Sequence, residues 1–265
     1  TDVRSAIIDK GGKIYQVGGA VRDEMLGKVS KDLDLLVVGI ELKDLATLLT
    51  RFGKTNLVGK AFGIIKFVPD GATEEIDISV PRIDSKSTGK GHKDFEVKLG
   101  KGITLQQDQL RRDFWMNAMA RDVETGEIHD IEGKGQTDID NKQIRVIGIR
   151  AFREDPLRML RAVQFAARFE FTIEPKTMDQ IKSSVNLIKT VSPERFQEEF
   201  KKMFEKGTPS VGVALLKETG ILKKLFPKAR DTFPMEYDRL DKKGFPAFLA
   251  VLLKGHKSKE IQSAM

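Results

Sequence analysis

Cysteine is absent from this chain, which excludes disulfides and thiolate metal sites. Its three histidines, His92, His129 and His256, are too scattered for the ligand spacing of a zinc site. Long hydrophobic runs are absent too. No stretch approaches the ~20 apolar residues of a membrane span, and Thr1 to Lys13 lacks the apolar core of a signal peptide. The expectation is a cytoplasmic protein without membrane association, in which any metal is a hard cation held by carboxylates.

What is present is charge. Lysine and arginine outnumber aspartate and glutamate by 46 to 39, a net +7, which favours a polyanionic partner such as nucleic acid. At 265 residues the chain is long enough to bury a core as one large domain or two modest ones. From Lys13 to about Ala120 strand-like and helical runs alternate: "KIYQVG", "AVRDEMLG", "DLDLLVVG", "LKDLATLLTRFG", "GIIKFVP", "EEIDISVPR", then a predicted helix through "LRRDFWMNAMAR". Ser85 to Gly102 is rich in Gly, Lys and Ser and reads as a mobile loop broken by one short strand. "DVETGEIHDIEG" reads as a hairpin turning at Thr125-Gly126, followed by a turn-rich connection. From Phe152 onward the pattern is helical, which puts a boundary near residues 142–150.

"KDLDLLVVG" sets two aspartates against an apolar strand whose continuation, Leu35 to Val38, is apolar on both faces. Residues i and i+2 of a strand lie ~6.6 Å apart on one face, so Asp32 and Asp34 present paired carboxylates, suited to two divalent ions that clamp a phosphate. Upstream, "VGGAVRD" feeds a glycine pair into a short helix. Gly18 and Gly19 let a phosphate approach backbone N–H groups, and Arg22 adds charge one turn in. Asp113 and Asn117 share a helix face by i, i+4 spacing, and an asparagine among Phe114, Trp115, Met116 and Met119 needs a specific partner. In "EDPLRMLR", Asp155, Arg158 and Arg161 step by three along one side of a predicted helix. Asp supplies acceptors and Arg supplies donors, a set that can read a base edge; the alternative is an ordinary helix ion pair.

Taken together and in order, "GGAVRDEMLG…KDLDLLVVG", "RRDFWMNAMA", "REDPLRMLRAVQFAARFEF", "SPERFQEEFKKMF" and "ALLKETGILKKLFP" resemble the class II tRNA nucleotidyltransferases, the bacterial CCA-adding enzymes and their poly(A) polymerase relatives. The resemblance runs from about Ile14 to Phe226. It implies an α+β fold: a polymerase-β-like nucleotidyltransferase head with a mixed sheet and helices (residues 1–145), a helical neck that selects the base (146–205) and a partial helical body that binds RNA (206–265). It implies that Asp32 and Asp34 are the catalytic pair that holds Mg2+, with Asp77 as a third carboxylate serving as general base or metal support. Gly18, Gly19 and Arg22 would hold the triphosphate, Arg112, Asp113 and Asn117 the ribose and triphosphate, and Asp155 and Arg158, with Arg161, the base.

The implied activity is template-independent addition of CCA to the tRNA 3′ end from CTP and ATP, with release of pyrophosphate and no protein partner. The residues 84–102 match in place a loop that helps the switch from C to A. Alternatives are a CC-adding or A-adding enzyme, a poly(A) polymerase, transfer to a small molecule or protein, or an RNA-binding protein without catalysis. The pattern departs from the family where Gln164 replaces an arginine of some relatives, where no adjacent His-Asp pair marks a phosphohydrolase domain, and in length, which implies a reduced tail or a fragment.

Overall fold

The computed structural model describes residues 2–29, 33–58, 63–84 and 97–227. Asp32, the stretch 85–96, and the apolar run "FPAFLAVLLKG" lie outside them. The described residues divide into two units, one ending at Asp140 and the other beginning at Asn141.

The first unit opens with α1 (Val3–Asp9), β1 (Lys13–Val17), α2 (Gly19–Met25), β2 (Asp34–Val38) and α3 (Leu42–Leu49). It continues through β3 (Gly53–Val58), β4 (Ile64–Pro69), β5 (Ile76–Ser79), β6 (Arg82–Asp84) and β7 (Val97–Leu99). It closes with α4 (Leu105–Leu110), β8 (Ala120–Asp122), β9 (Ile128–His129) and α5 (Lys134–Asp140). Among the described residues seven strands form one mixed sheet in the order β3-β4-β5-β2-β1-β8-β9, with β6 and β7 paired separately. Only the β2–β5 pairing in the large sheet is parallel; the others are antiparallel. Strand β2 is therefore central, as its apolar sequence requires.

Side-chain alternation along β2 divides its neighbours. Leu35 and Val37 join the main core with Ile7, Leu45, Leu49, Ile65, Phe67 and Ile78. Leu36 and Val38, on the other face, join a smaller cluster with Tyr15, Val17, Ala120 and Leu105. Asp34 shares that second face by the same period of two, and helices α1 and α3 cover the first.

Several elements differ from the sequence expectation. The helix expected through "LRRDFWMNAMAR" does not form: α4 has ended by Leu110, and the segment holds a short 3-10 turn at Trp115–Asn117 and then β8. The tertiary bond from Arg22 to Asn117 and the local turn that Asp113 closes win over helix propensity there. Strand β3 was not expected, since its alternation of exposed Lys54, Asn56 and Val58 with more covered neighbours is that of a sheet edge. The turn-rich stretch after the hairpin contains α5, whose first amides, Gly135 and Gln136, donate to the Asp130 carboxylate at 2.9 and 2.8 Å. The hairpin itself turns where expected: Asp122 Oδ1 accepts from Glu124 and Thr125, and Gly126 takes a positive φ of 76°.

The second unit holds α6 (Ala151–Glu154), α7 (Leu157–Phe169), α8 (Pro175–Ser184), α9 (Pro193–Lys206), α10 (Pro209–Glu218) and α11 (Ile221–Leu225). A two-residue parallel pairing joins β10 (Gln143–Ile144) and β11 (Thr172–Ile173). Its core is built on α7, whose Leu160, Val163 and Ala166 are sealed, together with Phe200 and Met203 of α9 and Val213 and Leu216 of α10. No described helix is long and apolar enough to cross a membrane.

Candidate active site

Gly18 closes β1 and precedes α2 with φ 76° and ψ −137°, a conformation that favours glycine. A Cβ built there would lie 3.6 Å from Arg112 Nη1 and 3.6 Å from Asp34 Oδ2. The turn thus sits between a guanidinium and a carboxylate. Gly19 is as close-fitting: its Cβ would lie 3.2 Å from Arg22 Nη2.

Arg22 is turned inward, with 4% exposure. Its Nε and Nη2 donate to Asp23 Oδ1 at 2.8 and 2.6 Å, and its Nη1 donates to Asn117 Oδ1 at 2.6 Å. Asn117 passes the chain on, donating from Nδ2 to Asp113 Oδ1 at 3.0 Å, which also accepts the Phe114 amide at 2.8 Å. The partner that the sequence required for Asn117 is therefore Arg22, 95 positions away. Asp113 and Asn117 do meet, though across an open turn and not along a helix face.

Arg112 owes its place to Asp108, a residue that the sequence patterns did not single out. Asp108 is fully buried. Its Oδ1 pairs with Arg111 Nη2 at 2.6 Å, its Oδ2 pairs with Arg112 Nη2 at 3.0 Å, and the Arg82 amide donates to Oδ1 at 3.2 Å. Burial alone would raise the carboxyl, but Arg112 and Arg111 outweigh it and hold Asp108 below its ordinary 3.8. The i, i+3 and i, i+4 spacing of "DQLRR" was the available signal.

Asp34 begins β2, and its Cα partner on the parallel β5 is Asp77, so the two carboxylates share one face of the sheet. Asp77 lies 3.7 Å from Lys66 Nζ, which also pairs with Glu75. The expected same-face relation of Asp34 to Asp32 involves a residue outside those described. Among the described residues no three His, Asp or Glu side chains gather as a metal cluster. The available donors, carboxylates of Asp34 and Asp77, are hard oxygens, the chemistry that a hard divalent cation takes.

In the second unit the expectation that Asp155 rides on a helix with Arg158 and Arg161 is corrected. Asp155 has φ −140° and ψ 100° in the break between α6 and α7, because the following Pro156 disfavours helical backbone at the preceding residue. Its Oδ1 accepts the Leu157 amide at 3.1 Å, and its Oδ2 accepts from Arg195 at 2.7 Å. Arg158 lies on α7 with Glu154 at 3.6 Å. Arg161 is 3.4 Å from the buried Glu199 and stacks over the Phe165 ring. Gln164 is 1% exposed and faces the core, so it is not presented to a phosphate.

Residues 14–145 match the family described as the poly A polymerase head domain, and residues 170–232 match a probable RNA- and SrmB-binding site of polymerase A. A Nitrosomonas europaea protein named multifunctional CCA protein is 40% identical over 223 residues, 83% of this chain and 51% of that protein. The chain thus spans about half the length of the curated relatives that it matches. Among solved structures, the Bacillus stearothermophilus CCA-adding enzyme in complex with CTP is 32% identical with a TM-score of 0.72, covering 83% of this chain and 51% of that one. The Thermotoga maritima CCA-adding enzyme complexed with tRNA is 26% identical with a TM-score of 0.78, covering 99% and 63%. On these matches, in the order that the motifs require, the chain belongs to the class II tRNA nucleotidyltransferase and poly(A) polymerase family, with its polymerase-β-like head and helical following part.

Proposed function

We propose that this chain adds C, C and A to the 3′ end of tRNA, taking CTP and ATP as substrates without a nucleic-acid template and releasing pyrophosphate. The observation that carries the reading is the Gly18 turn, held open between Arg112 and Asp34. A triphosphate fits such a turn, with backbone amides and a guanidinium on one side and metal-binding carboxylate on the other.

We assign the roles on this geometry. Gly18 and Gly19 keep the turn free of side chains. Arg112, oriented by Asp108, binds phosphate oxygens. Arg22, which the resemblance gives to the triphosphate, is 4% exposed and donates to Asp23 and Asn117; we assign it instead to fixing Asn117, which with Asp113 is assigned to the ribose. Asp34, with Asp32, is assigned to hold Mg2+, and Asp77 is assigned to accept the hydroxyl proton or to support the metal. Bound at these carboxylates, Mg2+ would lower the pKa of the RNA 3′-hydroxyl and neutralise charge on the phosphates. The 3′-oxygen then attacks the α-phosphorus, the bond to the β-phosphate bridge breaks, and pyrophosphate leaves. Asp155 and Arg158 are assigned to the base edge, and the basic helical unit to tRNA backbone. We further assign residues 1–145 as head, 146–205 as neck and 206–265 as partial body.

The test is nucleotide addition to labelled tRNA that lacks its terminal CCA, with each of the four nucleoside triphosphates alone and together and with Mg2+. Addition of CCA followed by arrest is expected. Arrest after CC, addition of A to CC-ended tRNA alone, or long A tails would each replace the reading by a narrower or a polyadenylating one. Binding without incorporation would make the chain an RNA-binding protein. Asp34→Asn is expected to abolish incorporation with tRNA affinity within a few fold.

A further inference from the structure

Arg195 stands in the first turn of α9, forty positions from Asp155, and holds that carboxylate at 2.7 Å. The other oxygen of Asp155 is tied to the Leu157 amide at the start of α7. The carboxylate is therefore anchored at both oxygens, one to its own helix start and one to the neighbouring helix. One turn further along α9 the polarity reverses, with Glu199 on α9 and Arg161 on α7 at 3.4 Å. Phe200 and Met203, both without exposure, fix α9 to the unit's core, so Arg195 reaches out from a rigid base.

The pair is not placed to hold the unit together. Its side chains are 42% and 29% exposed, and exposed ion pairs contribute at most about 1 kcal/mol. What it does fix is direction. An oriented carboxylate accepts from the exocyclic amines of cytosine and adenine and meets an oxygen of like character on the corresponding edge of guanine or of a uracil-type pyrimidine. A carboxylate free to turn would meet other donors as well, and the distinction would blur.

We infer that Arg195 is a positioning residue for nucleotide choice: it locks Asp155 in the orientation that separates CTP and ATP from UTP and GTP, an inference that rests on the base-reading role proposed above for Asp155. Because each carboxylate oxygen has two lone-pair directions, the lock leaves acceptor capacity for a base.

The experiment uses the full chain with tRNA lacking CCA, and measures kcat/KM for CTP and UTP separately in the parent, Arg195→Gln, Arg195→Lys, Asp155→Asn and the Arg195→Gln/Asp155→Asn double variant, with thermal melts of each. Arg195→Gln is expected to lower the CTP-to-UTP ratio about tenfold or more, the scale of one good base-edge contact, with little change in melting temperature. Arg195→Lys should restore part of the ratio. The double variant should be no less selective than Asp155→Asn alone, since both changes remove one device. An unchanged ratio in Arg195→Gln, equal losses with CTP and UTP, or additive losses in the double variant would each overturn the inference while leaving CCA addition by the parent intact. If the parent incorporates nothing, the proposed function fails and takes this role with it.

Discussion

Replacing Asp108 by Asn removes one charge and almost no volume from the first unit. The residue is fully buried and faces two guanidinium groups at 2.6 and 3.0 Å. Breaking a buried pair from one side costs ~3–5 kcal/mol; Arg111 and Arg112 keep 19% and 16% side-chain exposure, so water relieves part of that and the lower end applies. For a unit of this size ~3 kcal/mol corresponds to a fall in melting temperature of about 10 °C. The loss depends on pH in a definite direction. Asp108 is held below its ordinary 3.8 in the folded chain because Arg112 and Arg111 outweigh the effect of burial. Its stabilisation is thus complete above the unfolded value and is lost as pH falls through the lower folded one. Calorimetric melts of parent and variant should differ fully at about pH 7, converge below about pH 4, and coincide once the parent carboxyl is protonated. Arg112, released from Asp108, should also let the nucleotide KM rise. An Asp108→Asn protein that melts with the parent at neutral pH, or a gap that widens in acid, would refute the reasoning.

Gly18→Ala forces a side chain onto a φ of 76° and into the gap between Arg112 and Asp34; it should cost ~1 kcal/mol of stability and a far larger factor in nucleotide affinity, read by titrating CTP. Arg22→Lys keeps the charge but loses the fork that spans Asp23 and Asn117; chemical denaturation should show a loss of about 2 kcal/mol, and unaltered stability would count against the strut. Gly53→Ala would put a Cβ 2.2 Å from the Val68 carbonyl oxygen, a backbone clash that the edge strand can relieve only by parting from β4; a lower melting temperature with wild-type nucleotide binding in the protein that remains folded is expected.

Much of this architecture is readable in the residues, and the failures share a cause. β1, β2, α3 and β4 declare themselves because their apolar spacing is set by burial, which acts alike along the whole element. The stretch "LRRDFWMNAMAR" has helical composition, yet Asn117 takes a partner 95 positions away and Asp113 closes a local turn on Phe114 and Asn117, and no α-helix forms there. Likewise α5 is polar and glycine-containing, and it depends on Asp130 at its first amides. Asp155 could have been placed outside the helix from sequence alone, since proline follows it. Asp108 was within reach by its spacing to Arg111 and Arg112. Arg195 was not, because a separation of forty positions leaves no local trace of the contact.

The single parallel pairing in the sheet bears on the order in which the protein assembles. β2 cannot meet β5 until α3, β3 and β4 have been traversed; the bond from Ser79 Oγ to the Leu35 carbonyl closes a separation of 44 positions, and the Arg22–Asn117 bond closes 95. Loop-closure entropy is spent before either contact returns anything, and pairings of this range are slow to form. The hairpin β3–β4 and the helices, whose contacts are local, should appear first on refolding. The approach of Arg112 to the Gly18 turn, the β2–β5 pairing at Asp34 and the Arg22–Asn117 strut should be among the last contacts made, so nucleotide binding should return after most of the secondary structure has formed.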